Sequence, residues 1–266
     1  MTVLIAASKP DPAGQNISQV LKRRRNFQPT GSDGILRSGD VLLKDVDSDG
    51  IYTESLGVNE KVDAVIFASR HRSEQGDPTL TVHSTGNCTG RAEFGGKPKS
   101  LAIAGPTRIR AALLALDAAR ETWKLNYAVS LEATHHGPTE LGIPILFVEI
   151  GSTEKQWNDQ QAAEAVAEAI WTSATAPSQG TIAVGFGGGH YCNKQCIALR
   201  KNGYAFGHIL SKYFFEDYDE EVVRMAFDRT LGECRTALID WKGVRGSDRA
   251  KLLAALKNMN IEIVRV

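Results

Sequence analysis

The apolar residues of this chain fall into short runs separated by stretches with helical spacing. Val3 to Ala7 and Ala64 to Ser69 (AVIFAS) are nearly continuous apolar runs, the pattern of strands covered on both faces. Asp40–Leu43, Ile51–Glu54, Thr79–His83, Tyr127–Leu131, Ile145–Ile150, Thr181–Phe186, Tyr204–His208, Thr236–Trp241 and Ile261–Val264 are further strand candidates. Between Arg108 and Trp123, Ile109, Leu113, Leu116 and Ala119 recur at helical spacing after Gly105-Pro106, with Thr107 as the expected cap. Helices are also expected at Asn16–Arg25, at the alanine-rich stretch Thr153–Trp171, from Asp219 through Phe227, and from Ser247 to Leu256. Strands alternating with helices predict an α/β fold: a mostly parallel central sheet with helices on both faces and some hairpins in the first half. A convincing linker is missing, so residues 1–266 are expected to form a single domain.

Against this pattern the polar residues are unevenly placed. All six histidines lie at predicted strand ends or in the loops that follow. His71 follows AVIFAS, His83 ends TLTVH, His135 and His136 follow YAVSLEA, His190 follows TIAVGF and three glycines, and His208 sits in AFGHI. In an open parallel sheet the carboxyl ends of the strands share one edge, where ligands bind. Parallel strands would therefore bring at least four of these histidines to one cleft, with Glu132 and Glu149 as the nearest carboxylates. A lone histidine is more often a satisfied core or surface group, and His208 fits that description best. Two chemistries suit such a cleft: a zinc ion held by imidazoles and a carboxylate, or acid–base work by histidine without metal. E-x-x-H-H at a strand end is not a zinc-protease helix signature, and the residues alone leave both chemistries open.

Phe186-Gly187-Gly188-Gly189-His190 is a glycine loop between a strand and a helix. Its backbone N–H groups can hold a phosphate or an oxyanion, with Lys194 close by; an ordinary tight turn explains it equally well. Asp45, Asp47, Asp49 and Gly50 imitate the start of a calcium loop, but the closing glutamate is missing, so a polar turn is expected. The loop from Gly86 to Lys99 is the best candidate for a mobile or substrate-contacting segment.

Composition narrows the partners. Thirty-one basic and thirty-one acidic residues give a net charge of zero, so nucleic acid would be held by local patches such as Arg70 with Arg72, Lys97 with Lys99, Arg108 with Arg110, or Lys22 to Arg25. The opening MTVLIAASKP reads as a strand and not as a secretory leader, and no apolar run approaches the ~20 residues of a membrane span. The expectation is a cytoplasmic setting with four free cysteines and no membrane partner. Cys192 and Cys196 beside His190 lack the second ligand pair of a cysteine zinc site.

Six stretches in order, SRHRSE (69–74), LTVHSTGN (80–87), SLEATHHGPTE (130–140), VEIGST (148–153), GGGHY (187–191) and GHILSKY (207–213), resemble the D-aminoacyl-tRNA deacylases of the archaeal and plant type. The chain departs from that pattern after GGGHY, where Cys192-Asn193 replaces a small residue and a proline. The resemblance implies a fold similar to phosphorylases and peptidyl-tRNA hydrolases. It implies a zinc-dependent hydrolase that cuts the ester between a D-amino acid, D-tyrosine among them, and the terminal ribose of tRNA. The partner is then the tRNA acceptor end and not DNA, for a monomer or small homo-oligomer. With that chemistry, His83, His136, His190 and Glu149 are the expected metal ligands, and His71, His135 and Glu132 the expected catalytic groups. Arg70, Gly187, Gly188, Gly189 and Lys194 are the expected substrate contacts. The alternatives are another α/β hydrolase or phosphorylase acting on a nucleoside or peptide, or a tRNA- or metal-binding module without turnover.

Overall fold

The computed structural model describes residues 1–32 and 34–266. In chain order the elements are β1 (Val3–Ser8), α1 (Pro12–Arg24), β2 (Gln28–Pro29), β3 (Ile35–Ser38), β4 (Val41–Val46), β5 (Ala64–Arg72), β6 (Thr79–His83), β7 (Gly86–Asn87) and β8 (Ser100–Leu101). Then come α2 (Pro106–Trp123), β9 (Ala128–Leu131), β10 (Ile145–Ser152), α3 (Glu154–Trp157), α4 (Gln160–Thr175) and β11 (Thr181–Phe186). The chain ends with α5 (Asn193–Asn202), β12 (Tyr204–Leu210), α6 (Glu220–Asp228), β13 (Thr236–Ile239), α7 (Gly246–Asn258) and β14 (Glu262–Arg265).

The fold is α/β and largely parallel. An eight-stranded sheet has the order β2-β3-β4-β1-β5-β10-β6-β9, and a four-stranded sheet the order β12-β11-β13-β14. The four strands of the smaller sheet are all parallel. In the larger sheet β4, β1, β5 and β10 run parallel, but β6 lies antiparallel to β10 and carries β9 with it.

Alternation along the central strands decides what covers each face. Ile66, Ala68, Leu146, Val148 and Ile150 join Ile17 and Leu21 of α1, Leu113 and Leu116 of α2, and Val166 and Ile170 of α4 in the largest apolar cluster. That cluster continues through Ala183, Phe206, Ile209 and Leu238, so both sheets share one core. Leu4, Val65, Phe67, Ile145 and Phe147 face the other way, where loops and not helices cover them. The smaller sheet has apolar residues of α6 and α7 on one face and of α5 on the other.

Several expected boundaries move for local reasons. Asp11 accepts from the N–H of Gly14 at 3.0 Å, so α1 starts before Asn16. Pro106 opens α2, because a proline needs no partner for its missing N–H there, and Thr107 lies inside the helix. The stretch Thr153–Trp171 is two helices: Asp159 accepts from Gln161 and Ala162 and starts α4 afresh. Ile51–Glu54 is not a strand. Backbone bonds from Tyr52 to Asp49 and from Thr53 to Gly50 close a short 3-10 turn, and the Thr53 hydroxyl adds a bond to the Asp49 carbonyl. Gly50 lets the turn pass close to the ring pair, since a Cβ there would press at 3.3 Å on both Phe67 and Phe147. The three aspartates of the calcium-like run are taken up by Lys22, Lys9 and Arg70.

Candidate active site

The site grows from the loop-covered face of the larger sheet. Register pairs Phe67 with Phe147, Ser69 with Glu149 and His71 with Gly151 across β5 and β10. On the other side of β10, Thr81 stands opposite Glu149 and His83 opposite Phe147. Period-two alternation therefore puts His71, Glu149 and His83 on one face. The sequence reading expected the strands' carboxyl edge. The antiparallel β6 instead brings His83 back over the middle of the sheet, two residues short of Glu149. The stacked rings of Phe67 and Phe147, with centroids 4.6 Å apart, form an apolar floor. His83 stacks on Phe147 at 5.5 Å, and His136 meets it edge-on at 4.9 Å.

The remaining walls come from loops. Glu132 follows β9, and its N–H continues the ladder to the Val82 carbonyl. His135 and His136 come next, with His136 at φ 44, a left-handed conformation uncommon for a residue with a Cβ. The glycine loop after β11 crosses from the smaller sheet. Gly187 and Gly188 have φ of 88 and 80, and a Cβ on Gly187 would meet Val244 at 2.7 Å. That turn delivers His190, whose carbonyl accepts from Ala133.

Glu132 is the hub. Its side chain is fully buried and lies 3.1 Å from His71 Nδ1, 3.3 Å from His190 Nε2, 3.6 Å from His135 Nε2 and 3.9 Å from His83 Nε2. Glu149 adds contacts of 3.5 Å to His83 and 3.8 Å to His71, and accepts from the Thr81 hydroxyl. Both Glu132 oxygens and His83 Nε2 are buried with no protein hydrogen-bond partner. Leaving buried polar atoms unpaired costs about 1–3 kcal/mol each, more for charged ones, so a group that bridges them is expected here.

The donor set fits a cation. His83, His135 and His136 direct Nδ1 at the backbone carbonyls of Ser84, Ala133 and Gly137, at 3.1, 2.8 and 2.6 Å. A carbonyl only accepts, so the proton sits on Nδ1 and the Nε2 lone pair is left for a ligand. Among the described residues, three groups have ligand atoms within 4.8 Å of one another: His83 with His135 and His136, His71 with Glu132 and His190, and His83 with Glu132 and Glu149. The expected metal ligands and the expected catalytic groups are interleaved in these sets, so the geometry does not divide them into two teams.

Electrostatics follow from the crowding. Burial alone would raise the Glu132 pKa, but the contact with His190 and the positive charges of His71, His190 and His83 hold it down at about 2. Burial, with the charge of His83, lowers His136 to about 3 and His135 well below the usual histidine range. Burial also disfavours the charged forms of His83 and His190, yet Glu149 and Glu132 respectively outweigh it and raise both.

The site opens into a pocket of about 270 Å³ lined by His135, His136 and His190 together with Cys88, Arg91, Phe94 and Tyr213. The Gly86–Lys99 loop is thus one wall, tied at its base by β7 pairing with β8. Arg70 points elsewhere, to Asp49 at 2.7 Å and the Pro10 carbonyl. Lys194 is exposed at the start of α5. The other basic runs are bound up in the protein. Lys22 pairs with Asp45, Arg23 and Arg24 with Glu164, Arg25 with Glu168, Lys97 with Glu140, and Lys99 with Asp217 and Asp219. Arg108 and Arg110 donate to backbone carbonyls. His208 is a core group between Ser84, Thr134 and the Ala102 carbonyl. Cys192 and Cys196 are buried free thiols outside every ligand group among the described residues. Sequence reasoning missed Tyr191, whose hydroxyl lies 2.9 Å from His71 Nε2. The only signal was its place beside His190.

An α/β fold that gathers five histidines and two carboxylates under an open pocket has the donors to hold a metal ion and the groups to move protons. The sequence profile of D-aminoacyl-tRNA deacylase matches residues 58–264. A D-aminoacyl-tRNA deacylase of Methanosarcina acetivorans is 37% identical over 99% of this chain and 92% of its own. The one from Pyrococcus furiosus is 36% identical over 98% and 99%. A crystal structure of a conserved protein of unknown function superposes with a TM-score of 0.92 at 33% identity, covering 99% of this chain and 95% of that one. The chain belongs to the D-aminoacyl-tRNA deacylase family, a family of ester hydrolases.

Proposed function

We propose that the histidine site hydrolyses the ester between a D-amino acid, D-tyrosine among them, and the terminal ribose of tRNA, releasing both. The observation that carries this reading is the buried Glu132 ringed by four imidazoles below an open pocket, in a chain of this family. We further propose zinc as the metal, with His83, His136, His190 and Glu149 as ligands drawn from the three neighbouring donor groups rather than from any one of them. Imidazole and carboxylate donors suit zinc, which supplies a Lewis acid and lowers the pKa of a bound water toward ~7.

The chain's own groups then have the following parts. Backbone carbonyls hold the Nδ1 protons of His83, His135 and His136 and so aim their Nε2 atoms. Glu132 stays anionic and steadies the imidazoles around it. His71, between Glu132 and the Tyr191 hydroxyl, is the group placed to pass a proton to the leaving ribose oxygen. The glycine loop presents Gly189 where a Cβ would meet nothing within 4 Å, which leaves room for the ester beside its backbone. Residues 1–266 act as one unit in a cytoplasmic setting. No helix among the described residues is long and apolar enough to cross a membrane.

The test is hydrolysis of D-tyrosyl-tRNA and L-tyrosyl-tRNA at equal enzyme, with zinc present. Rapid loss of the D-ester with the L-ester spared is expected. Loss of neither ester from folded, zinc-loaded protein refutes the reading and favours a small-substrate hydrolase or a binding module.

A further inference from the structure

The pocket at the histidines continues past its rim. Ser211, Tyr213 and Phe214 line it, while Lys212, Tyr213 and Phe215 of the same segment line a second groove of about 680 Å³. Tyr213 is common to both and is 52% exposed. The glycine loop sits at the junction, since the Lys212 N–H donates to the Gly188 carbonyl and a Cβ on Gly243 would come within 2.6 Å of the Gly188 nitrogen. Lys242 and Arg245 complete the cationic side of the groove, and Glu216 and Asp248 also border it.

These three cations are uncommitted and lie together at one groove. The runs Lys22 to Arg25, Lys97 with Lys99, and Arg108 with Arg110 are instead bonded to carboxylates or to backbone carbonyls. Lys212, Lys242 and Arg245 form no ion pair among the described residues, and the Lys212 ammonium rests 5.2 Å from the Tyr213 ring centroid. A chain of zero net charge can hold a polyanion only where cations are left unneutralised. An exposed aromatic between two cavities, flanked by free cations, is how proteins take up single-stranded nucleic acid: rings stack on bases and cations meet phosphates.

We propose that this groove receives the single-stranded 3′ end of tRNA, with Tyr213 stacking on a base near the ester and Lys212, Lys242 and Arg245 meeting the following phosphates. The proposal rests on the deacylase reading, which puts the ester at the histidines and sends the chain of nucleotides out over the rim.

The experiment measures binding of deacylated tRNA to the full chain at several salt concentrations, beside hydrolysis of D-tyrosyl-tRNA and of D-tyrosyl-adenosine, which lacks the phosphates the three cations would meet. For the triple variant Lys212→Ala, Lys242→Ala, Arg245→Ala, tRNA binding is expected to weaken at least tenfold. The slope of log affinity against log salt should fall by about 2, because each phosphate left without its cation removes about 0.7 from it. Its hydrolysis of D-tyrosyl-adenosine should stay within about twofold of the parent, which shows the fold and histidine site to be intact. Tyr213→Ala should weaken tRNA binding about tenfold and Tyr213→Phe should restore it, because stacking needs the ring and not the hydroxyl. Unchanged affinity and salt slope in the triple variant overturn the proposal, as does an equal loss on both esters. A parent protein that cuts neither ester refutes the deacylase reading, and loss of tRNA binding in the triple variant would still support the groove.

Discussion

Two faces of one sheet, built from the same strands, behave differently. On β10, Val148 and Ile150 join α1 and α4 in the core, while Phe147 and Glu149, each one residue away, face the histidines. On β5, Ala68 belongs to the helix-covered face and His71 to the other. Helices give one face a close-packed apolar cover that leaves no place for a charge. Loops cover the other, and their backbone carbonyls and glycines provide partners for imidazoles. The comparison teaches that chemistry has collected where the sheet lacks a helical lid.

The largest expected effect comes from breaking the polar face. His136→Ala or His190→Ala should cost about a thousandfold or more in kcat/KM, since several kcal/mol of transition-state stabilisation leave with the site. Circular dichroism should show the fold intact; near-parental turnover in both variants would refute the site. Glu149→Gln and Ile150→Ala sharpen the contrast between neighbours. The first should reduce turnover at least a hundredfold with little change in thermal midpoint. The second should lose about 2–5 kcal/mol of stability by leaving a cavity, while turnover per folded molecule survives. The same signature from both variants would erase the distinction between the faces.

The third test uses acid. His208 is buried, and burial together with the charge of Arg229 lowers its pKa to about 4 from an ordinary 6.5, although its bond to the Ala102 carbonyl opposes this. The unfolded chain therefore binds a proton between those values that the folded chain refuses. Its contribution is complete above pH 6.5 and is lost as pH falls toward 4, about 3 kcal/mol in all. Urea midpoints across that window should fall less in His208→Gln than in the parent. The smallest effect belongs to the N-terminal basic run. Arg23→Ala with Arg24→Ala should change stability by no more than about 1 kcal/mol, because both pairs with Glu164 are solvent-facing. The affinity for tRNA should not move.

Much of this was legible in the chain itself. Apolar runs and helical spacing located most strands and helices, and the placing of histidines after strands anticipated the cluster that the structure brings together. The reversal of β6 was not legible, because an apolar run has no direction, and with it went the reason why His83 reaches Glu149. The break at Asp159 was hidden because Glu154, Lys155 and Gln156 before it and the alanines after it all favour a helix. Arg70 was picked out as half of a basic pair with Arg72; its guanidinium contact with Asp49 was not legible, because the two lie 21 residues apart. The free cations at Lys242 and Arg245 were obscured by richer basic runs whose partners lie far away in the sequence.

The glycine loop that carries His190 has a consequence for the order in which the protein becomes competent. Its imidazole is carried by the smaller sheet, and its Glu132 partner follows β9, the edge strand of the larger one. The larger sheet can be complete when residue 152 has left the ribosome, with His71, His83, Glu132, His135, His136 and Glu149 already in the chain. The set of five imidazoles closes only after the second sheet has formed and docked. With His190 in the proposed site, a nascent or half-folded chain is expected to be inert toward charged tRNAs, and hydrolysis would report the last step of assembly.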